Sequence, residues 1–168
     1  MEREKAGKPI LDKKTAQARL EYYCAYQERS QQEVRDKLYS YGLHSNEVED
    51  VLCNLIETNF LNEERFANAY TLGKFRIKNW GKLKIKQALK LKRVGDNLIK
   101  KALNLIPPDD YEHTLKTLLE KKDASLKEKD AYKRRQKLIM YGISKGYERD
   151  RIFDCLNSSY LLEKEKKL

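Results

Sequence analysis

A chain of 168 residues, of which 37% are charged and 40% hydrophobic, has the composition of a soluble globular protein and not of a disordered one. Seven Gly and three Pro are few turn residues for this length, which favours helices over a sheet-rich fold. The formal net charge of +10 is unevenly distributed, because residues 61–107 hold 12 basic and only 3 acidic side chains. We therefore expect an anionic partner to meet the middle third.

The amino terminus and the cysteines restrict the compartment and the chemistry. The opening MEREKAGKPILDKK has no apolar core of the signal-peptide type, and no run reaches the roughly 18 apolar residues of a membrane helix. This predicts a cytoplasmic protein that does not bind membranes. Three widely separated cysteines without a CxxC pair argue against disulfides or zinc, and we predict that all three are small buried thiols: Cys24, Cys53 and Cys155.

The first predicted unit, residues 15–60, follows an N-terminal segment, residues 1–14. A long amphipathic helix over TAQARLEYYCAYQER precedes two short helices around a tight turn. Ser30 and Glu33 have the capping-box pattern of a helix start, and Gly42 can adopt the left-handed conformation that ends that helix. Ser45 or Asn46 can cap the next helix.

The second unit, residues 61–107, repeats this plan. Asn62 can cap its long helix, EERFANAYTLGKFRIK, while Gly81 opens the next helix and Asp96 can cap the last. The apolar skeletons of the two units coincide at an offset of 51 residues, which pairs Val34 with Ile85, Leu38 with Leu89, Leu43 with Val94, Val48 with Ile99, Leu52 with Leu103, and Leu55 with Ile106.

The third unit, residues 108–162, begins at PPDD, where a proline can precede a helix and an aspartate can cap it. The same skeleton recurs at a further offset of 53 residues, with Gly146 opposite Gly42 and the apolar positions at Leu138, Tyr147, Ile152 and Leu156. The polar residues 123–131 are predicted to form a mobile connection, and residues 163–168 a tail.

Units of this size bury too little apolar surface to be comfortably stable alone, so stacked units are expected to share a core. The sequence thus predicts an all-α fold of three tandem three-helix repeats, stacked into an elongated molecule that can curve. No unit is expected to fold in isolation.

Four phrases resemble landmarks of the RecX family of regulatory proteins, over about residues 15–160. QERSQQEVRDKL is similar to the start of that family's first pair of short helices, and NFLNEERFANAY is similar to its junction between units. The spacing of Gly81, Ile85 and Leu89, and the KGY phrase at 145–147, match two further landmarks. Two departures stand out: Asn59 replaces the usual Gly, which Asn can do because it also visits the left-handed region, and Gly142 replaces an apolar residue.

The resemblance implies a regulator that lies along the nucleoprotein filament of the recombinase RecA and modulates, with inhibition expected, its ATPase, strand-exchange and co-protease activities. We expect a monomer that is not an enzyme and uses no metal or cofactor. His44 and His113 lie in different units without a nucleophile or metal-ligand spacing nearby, and the chain lacks a Gly-rich phosphate loop. A stand-alone helical DNA-binding module and a helical adaptor for another protein are the alternatives.

The candidate contact residues are basic. On a helical wheel, Lys82, Lys86, Lys90 and Arg93 fall within an arc of about 80° beside the apolar seam, and Lys74, Arg76 and Lys78 end the preceding helix. Such a surface suits the phosphates of single- or double-stranded DNA or an acidic protein groove, although it could also be a solvated face. A second cluster lies in the third unit: Lys133, Arg134, Arg135 and Lys137. Tyr70 and Trp80 could stack on bases or simply pack between helices.

Overall fold

The computed structural model describes residues 10–158, and within this range the chain forms nine α-helices and no strand. The predicted all-α fold of three three-helix repeats is confirmed. Repeat 1 contains α1 (Lys13–Tyr26), α2 (Gln31–Ser40) and α3 (Ser45–Glu57); repeat 2 contains α4 (Glu63–Lys78), α5 (Lys82–Leu91) and α6 (Asp96–Leu103); repeat 3 contains α7 (Pro108–Ser125), α8 (Ala131–Lys145) and α9 (Arg149–Ser158). The predicted tail and residues 1–9 of the predicted N-terminal segment lie outside the described residues.

Several helix starts are where the sequence predicts them. Ser30 Oγ accepts a hydrogen bond from the Glu33 N–H at 3.1 Å, and Glu33 Oε2 accepts one from the Ser30 N–H at 2.9 Å, which completes the capping box of α2. Asn62 Oδ1 accepts from the Arg65 N–H at 2.9 Å and caps α4. Gly81 precedes α5 as predicted.

Three predicted caps are wrong by one or two residues. His44 and Gly95 are the residues that precede α3 and α6, so Ser45 and Asp96 are the first helical residues instead of the caps. Pro107 precedes α7, and the two aspartates of PPDD lie in its first turn. Carboxylates at these positions still favour the helix, because they face the positive end of its dipole.

The turn that follows the second helix of each repeat contains one residue in the left-handed conformation, one or two positions after the helix ends. The φ angles are 86° at Gly42, 58° at Arg93 and 92° at Gly146. Asn59, which follows α3, has a φ of 61°, which confirms that asparagine takes the left-handed role there.

The apolar skeleton forms two cores. Repeat 1 encloses its own core, which includes Leu20, Leu38 and Leu55, all 0% exposed. Repeats 2 and 3 share a second core that extends from Phe66 to Leu156. The expectation that all units share one core is therefore wrong for repeat 1, because its buried residues form a cluster separate from that of repeats 2 and 3.

Gly142 does not weaken the packing of repeat 3. It is buried in α8, and a Cβ atom at this position would lie 2.7 Å from Ile152 Cδ1. The side chain of Ile152, which is 0% exposed, thus occupies the space that an apolar residue at position 142 would need.

The joint between repeats 2 and 3, here called the second joint, brings the start of α5 against the end of α8. The Gly81 N–H donates to the Lys145 carbonyl at 2.8 Å, and the Leu83 N–H donates to the Gly146 carbonyl at 3.0 Å. A Cβ on Gly81 would lie 2.2 Å from the Gly146 oxygen, so only glycine permits this approach. The Tyr147 hydroxyl adds a hydrogen bond to the Asn79 carbonyl at 3.2 Å.

The joint between repeats 1 and 2, here called the first joint, is polar. Arg65 Nε donates to Glu28 Oε1 at 2.8 Å, and the Gln31 N–H donates to Glu63 Oε1 at 3.3 Å. These pairs connect the start of α4 to the segment between α1 and α2. Repeat 1 is thus held to repeat 2 through ion pairs and hydrogen bonds instead of a shared core.

Candidate partner and nucleic-acid interface

The residues from Lys74 to Arg93, here called the basic segment, contain nine basic and no acidic side chains. The segment includes the last turns of α4, all of α5 and the turn that follows it. Ile85 and Leu89 anchor α5 in the core at 0% exposure. The lysines between these anchors are placed around the rest of the helix, because apolar residues at this spacing occupy one face.

The predicted arc of four cations is only partly correct. Lys82, Lys86 and Lys90 lie on α5, but the helix ends at Leu91 and Arg93 lies in the left-handed turn beyond it. A helical wheel gives the direction of a side chain only while the helix continues. The chain has already left α5 and turned at position 93, so the wheel does not apply to Arg93. Arg93 is nevertheless exposed.

The three cations on α5 differ in their surroundings. Lys86 is exposed, and Lys90 Nζ lies 3.4 Å from Asp96 Oδ1 in an exposed ion pair. Lys82 is half-buried at the second joint, with Nζ 5.0 Å from the centroid of the Tyr111 ring. Lys82 therefore contributes to packing between repeats as well as to surface charge.

The carboxyl-terminal end of α4 supplies three more cations. Arg76 and Lys78 are exposed in the last turn, where positive charge also complements the helix dipole. Lys74 Nζ lies 5.1 Å from the ring centroids of both Tyr70 and Trp80. These cation–π contacts fix the ammonium group beside the two rings.

Sequence reasoning missed the structural roles of Lys84 and Lys92, two other lysines of the basic segment. Lys84 Nζ lies 4.8 Å from the Trp80 ring and donates to the Ser144 carbonyl at 3.0 Å, across the second joint. Lys92 Nζ donates to Glu33 Oε1 at 2.7 Å, across the first joint. Their partners are distant in the sequence, so no local pattern could have found these contacts.

Tyr70 and Trp80 are half-buried, and lysine ammonium groups lie against both rings. Tyr70 also packs against Phe66 with the ring centroids 5.6 Å apart. These contacts favour the packing interpretation, because they occupy ring surface that a stacked base would need.

The second predicted cluster, in α8, is largely engaged within repeat 3. Arg134 Nε donates to Asp123 Oδ1, and this carboxylate is 7% exposed. Arg135 donates to the Asn157 side chain at 2.8 Å, and Lys137 donates to Glu128 at 2.8 Å. Lys133 is exposed. Asp123, predicted to lie in a mobile connection, is instead a buried residue of α7 that ties this helix to α8.

The cysteines differ from one another in exposure. Cys24 is buried, and burial raises the pKa of its thiol to about 11. Cys155 is half-buried, and burial likewise raises the pKa of its thiol. Cys53 is exposed on α3, so the prediction that all three are buried is wrong. Within residues 10–158, His, Cys, Asp and Glu form no group of three or more that could hold a metal ion, and no helix is long and apolar enough to cross a membrane.

Exposed cations without an acidic partner within residues 10–158 include a group in the basic segment, where no acidic side chain lies between them in the sequence. Arg76, Lys78 and Lys86 have this character, and all three lie on α4 or α5. Other cations are already paired. Lys90 and Lys92 lie against carboxylates, and three of the four predicted cations of α8 have a carboxylate or an amide partner. The first three side chains are therefore available to an external anion.

Comparisons with known proteins agree on one family. The models of the first, second and third three-helix domains of RecX match residues 17–55, 62–103 and 109–156, respectively. A regulatory protein RecX from Clostridium perfringens (strain SM101 / Type A) is 37% identical over 132 residues, which are 77% of this chain and 59% of the relative. One from Clostridium tetani (strain Massachusetts / E88) is 32% identical over 131 residues, 77% of this chain and 60% of the relative. The chain thus spans less than two thirds of the length of these relatives.

Two solved structures share the fold. The crystal structure of RecX from Lactobacillus salivarius has a TM-score of 0.78 and 24% sequence identity, and the match covers 86% of this chain and 94% of that chain. A crystal structure of a regulatory protein RecX has a TM-score of 0.80 and 22% identity, over 88% of this chain and 72% of that one.

Proposed function

Because the chain belongs to the RecX family of regulatory proteins, we propose that it binds the nucleoprotein filament of the recombinase RecA and modulates its activities in recombination and DNA repair. The expected direction is inhibition of ATP hydrolysis, strand exchange and co-protease activity. The chain acts as a monomer, with its three repeats following the filament.

The observation that carries the site assignment is the set of unpaired cations on α4 and α5. Arg76, Lys78 and Lys86 are exposed and have no acidic partner within residues 10–158. They belong to repeat 2, whose buried residues form one core with those of repeat 3. Positive charge of this kind binds phosphates or an acidic protein surface without reading a base sequence.

ATP hydrolysis by RecA on single-stranded DNA, titrated with this protein, tests the function. We expect hydrolysis to fall at well below one chain per recombinase monomer, because a molecule of three repeats can contact more than one filament subunit. An unchanged hydrolysis rate at a stoichiometric excess would contradict the proposal.

A triple variant tests the site. Arg76→Glu, Lys78→Glu and Lys86→Glu together reverse six units of charge at exposed positions. The concentration for half-inhibition should then rise at least about tenfold, and for direct binding to single-stranded DNA the slope of log affinity against log salt should flatten by roughly 2, at about 0.7 per lost phosphate contact.

The matched control reverses the same charge on exposed lysines of repeat 3 (Lys121→Glu, Lys127→Glu and Lys129→Glu) and should change inhibition far less. Equal inhibition and equal salt slopes for the parent and the triple variant of repeat 2 would mean that the basic segment is a solvated face.

A further inference from the structure

A groove of about 380 Å³, open to solvent, runs between repeat 1 and repeat 2. One wall is formed by Gln27 and Glu28 just after α1, and the other is the outer face of α4 from Phe66 to Lys78. The groove is therefore built by the first joint and does not exist in either repeat alone.

The floor of the groove is apolar and uncovered. Ala69, Tyr70, Gly73 and Ile77 recur at helical spacing along α4, and the side chain of Ile77 is 76% exposed. A Cβ on Gly73 would have no atom outside its own helical surroundings within 4 Å. A side chain from another molecule can therefore reach the backbone of α4 at Gly73.

The rim of the groove is positively charged. Lys74 and Lys78 line it, and neither has an acidic partner within residues 10–158. The Lys74 ammonium group is held in place by the rings of Tyr70 and Trp80, each 5.1 Å away. The acidic residue of the opposite wall, Glu28, is already bound to Arg65 at 2.8 Å. The complement of this surface is an apolar group flanked by negative charges.

We propose that this groove docks an amphipathic segment of a partner protein in which a bulky apolar side chain is flanked by carboxylates. The apolar side chain packs on Gly73 and Ile77, and the carboxylates pair with Lys74 and Lys78. This inference rests on the proposed function, because the RecA filament is the partner in which the segment is sought.

The test fills the groove without changing its charge. Gly73→Leu places a branched side chain over the floor, and it should preserve or increase the stability of α4, since Leu is a better helix former than Gly. Asn97→Leu adds the same side chain at an exposed, neutral position of α6 and serves as the control. Binding is measured to RecA filaments on single-stranded DNA and to the same DNA without RecA.

We expect Gly73→Leu to weaken filament binding at least tenfold, Asn97→Leu to bind like the parent, and both variants to bind naked DNA like the parent. Ile77→Gln, which removes apolar surface at an exposed position, should weaken filament binding in the same direction and provides a second probe if Gly73→Leu misfolds.

The other outcomes separate the two proposals. A parent chain that does not bind the filament overturns the proposed function and this inference with it. A parent that binds, together with Gly73→Leu and Ile77→Gln variants that bind equally well, overturns the groove alone. If Gly73→Leu weakens binding to naked DNA as much as binding to the filament, the groove binds nucleic acid. If the parent is a dimer and Gly73→Leu converts it to monomers, the groove binds a second copy of the chain. Either result overturns the docking of a partner segment.

Discussion

Arg93 is in a backbone conformation that the other two repeats assign to glycine. Its φ of 58° matches the left-handed turns at Gly42 and Gly146. A side chain with a Cβ in this region is less stable by about 1 kcal/mol than in the right-handed region, because Cβ approaches the carbonyl oxygen. The strain at Arg93 is tolerated because the Val94 N–H, next in the chain, reaches back to the Leu89 carbonyl at 3.1 Å and closes the turn.

Replacing Arg93 with glycine should therefore stabilise the protein. We expect Arg93→Gly to raise the free energy of unfolding by about 1 kcal/mol, since glycine adopts this conformation without a steric penalty. Thermal melting followed by circular dichroism measures the change. Lys86→Gly, in the interior of α5, should instead lower stability by about 1 kcal/mol. A lower melting temperature for Arg93→Gly than for the parent would show that the arginine side chain makes a stabilising contact.

At the scale of elements, the four sequence landmarks meet in pairs at the two joints. Glu28, in the first landmark, binds Arg65 in the second. Gly81, which opens the third, donates to the Lys145 carbonyl in the fourth. The first N–H groups of a helix have no hydrogen-bond acceptor within that helix. At the start of α5, carbonyl groups at the end of α8 accept these hydrogen bonds. The residues of the landmarks therefore form contacts between repeats. The basic segment supplies the candidate surface for a partner.

The sequence predicted the helices, their repetition and most buried positions, because these depend on periodicity and short-range capping. It did not predict that Lys92 would pair with Glu33, or that Arg134 would pair with a buried Asp123. Such contacts join residues from different helices, and only the packed fold decides which cations remain exposed. Arg93 was misplaced for a local reason, because its turn has no glycine to reveal it.

A buried hydroxyl, that of Tyr111, contributes two hydrogen bonds to the second joint. Tyr111 is 4% exposed, and its oxygen accepts from the Lys82 N–H at 2.9 Å and donates to Glu148 Oε2 at 2.7 Å. Burial raises the pKa of this hydroxyl, so it stays protonated at neutral pH and keeps its role as a donor. Its ring also lies 5.0 Å from that of Tyr147.

Tyr111→Phe should lower the free energy of unfolding by about 1–3 kcal/mol, because it leaves the Lys82 N–H without its acceptor at a part-buried site. Denaturant titration measures the loss. Tyr132→Phe removes a hydroxyl from a side chain that is 73% exposed, and it should leave stability within about 0.5 kcal/mol of the parent. Equal midpoints for Tyr111→Phe and the parent would rule out a stabilising role for this hydroxyl.

At the scale of the whole molecule, residues 10–158 form two bodies with separate cores: repeat 1, and repeats 2 and 3 together. One ion pair of the first joint between them, Lys92–Glu33, depends on the charge of Glu33. Burial alone would raise the pKa of Glu33, but hydrogen bonds from Lys92 and from the Ser30 N–H outweigh it and lower the pKa. The stabilisation is thus present above the usual glutamate pKa and is lost as the pH falls through the lowered value. Burial raises the pKa of Glu63, so protonation of Glu63 has the opposite effect and partly offsets this loss.

Because the two cores are separate, the two bodies should unfold in separate steps. Calorimetry of the full chain at neutral pH is expected to resolve two transitions, one for each body. Leu20 and Leu89 are both 0% exposed, one in each core. Leu20→Ala should therefore destabilise only the transition of repeat 1, by about 2–5 kcal/mol, and Leu89→Ala should destabilise only the other by a similar amount.

Coupling across the first joint sets how far apart these transitions lie. Glu33→Gln retains a side chain that can complete the capping box but removes the ion pair with Lys92, so repeat 1 should lose about 1 kcal/mol while the transition of repeats 2 and 3 stays in place. The same selective shift should follow when the pH is lowered through the titration of Glu33. A single transition that both leucine variants move together would show instead that the ion pairs of the first joint couple the two cores into one cooperative unit.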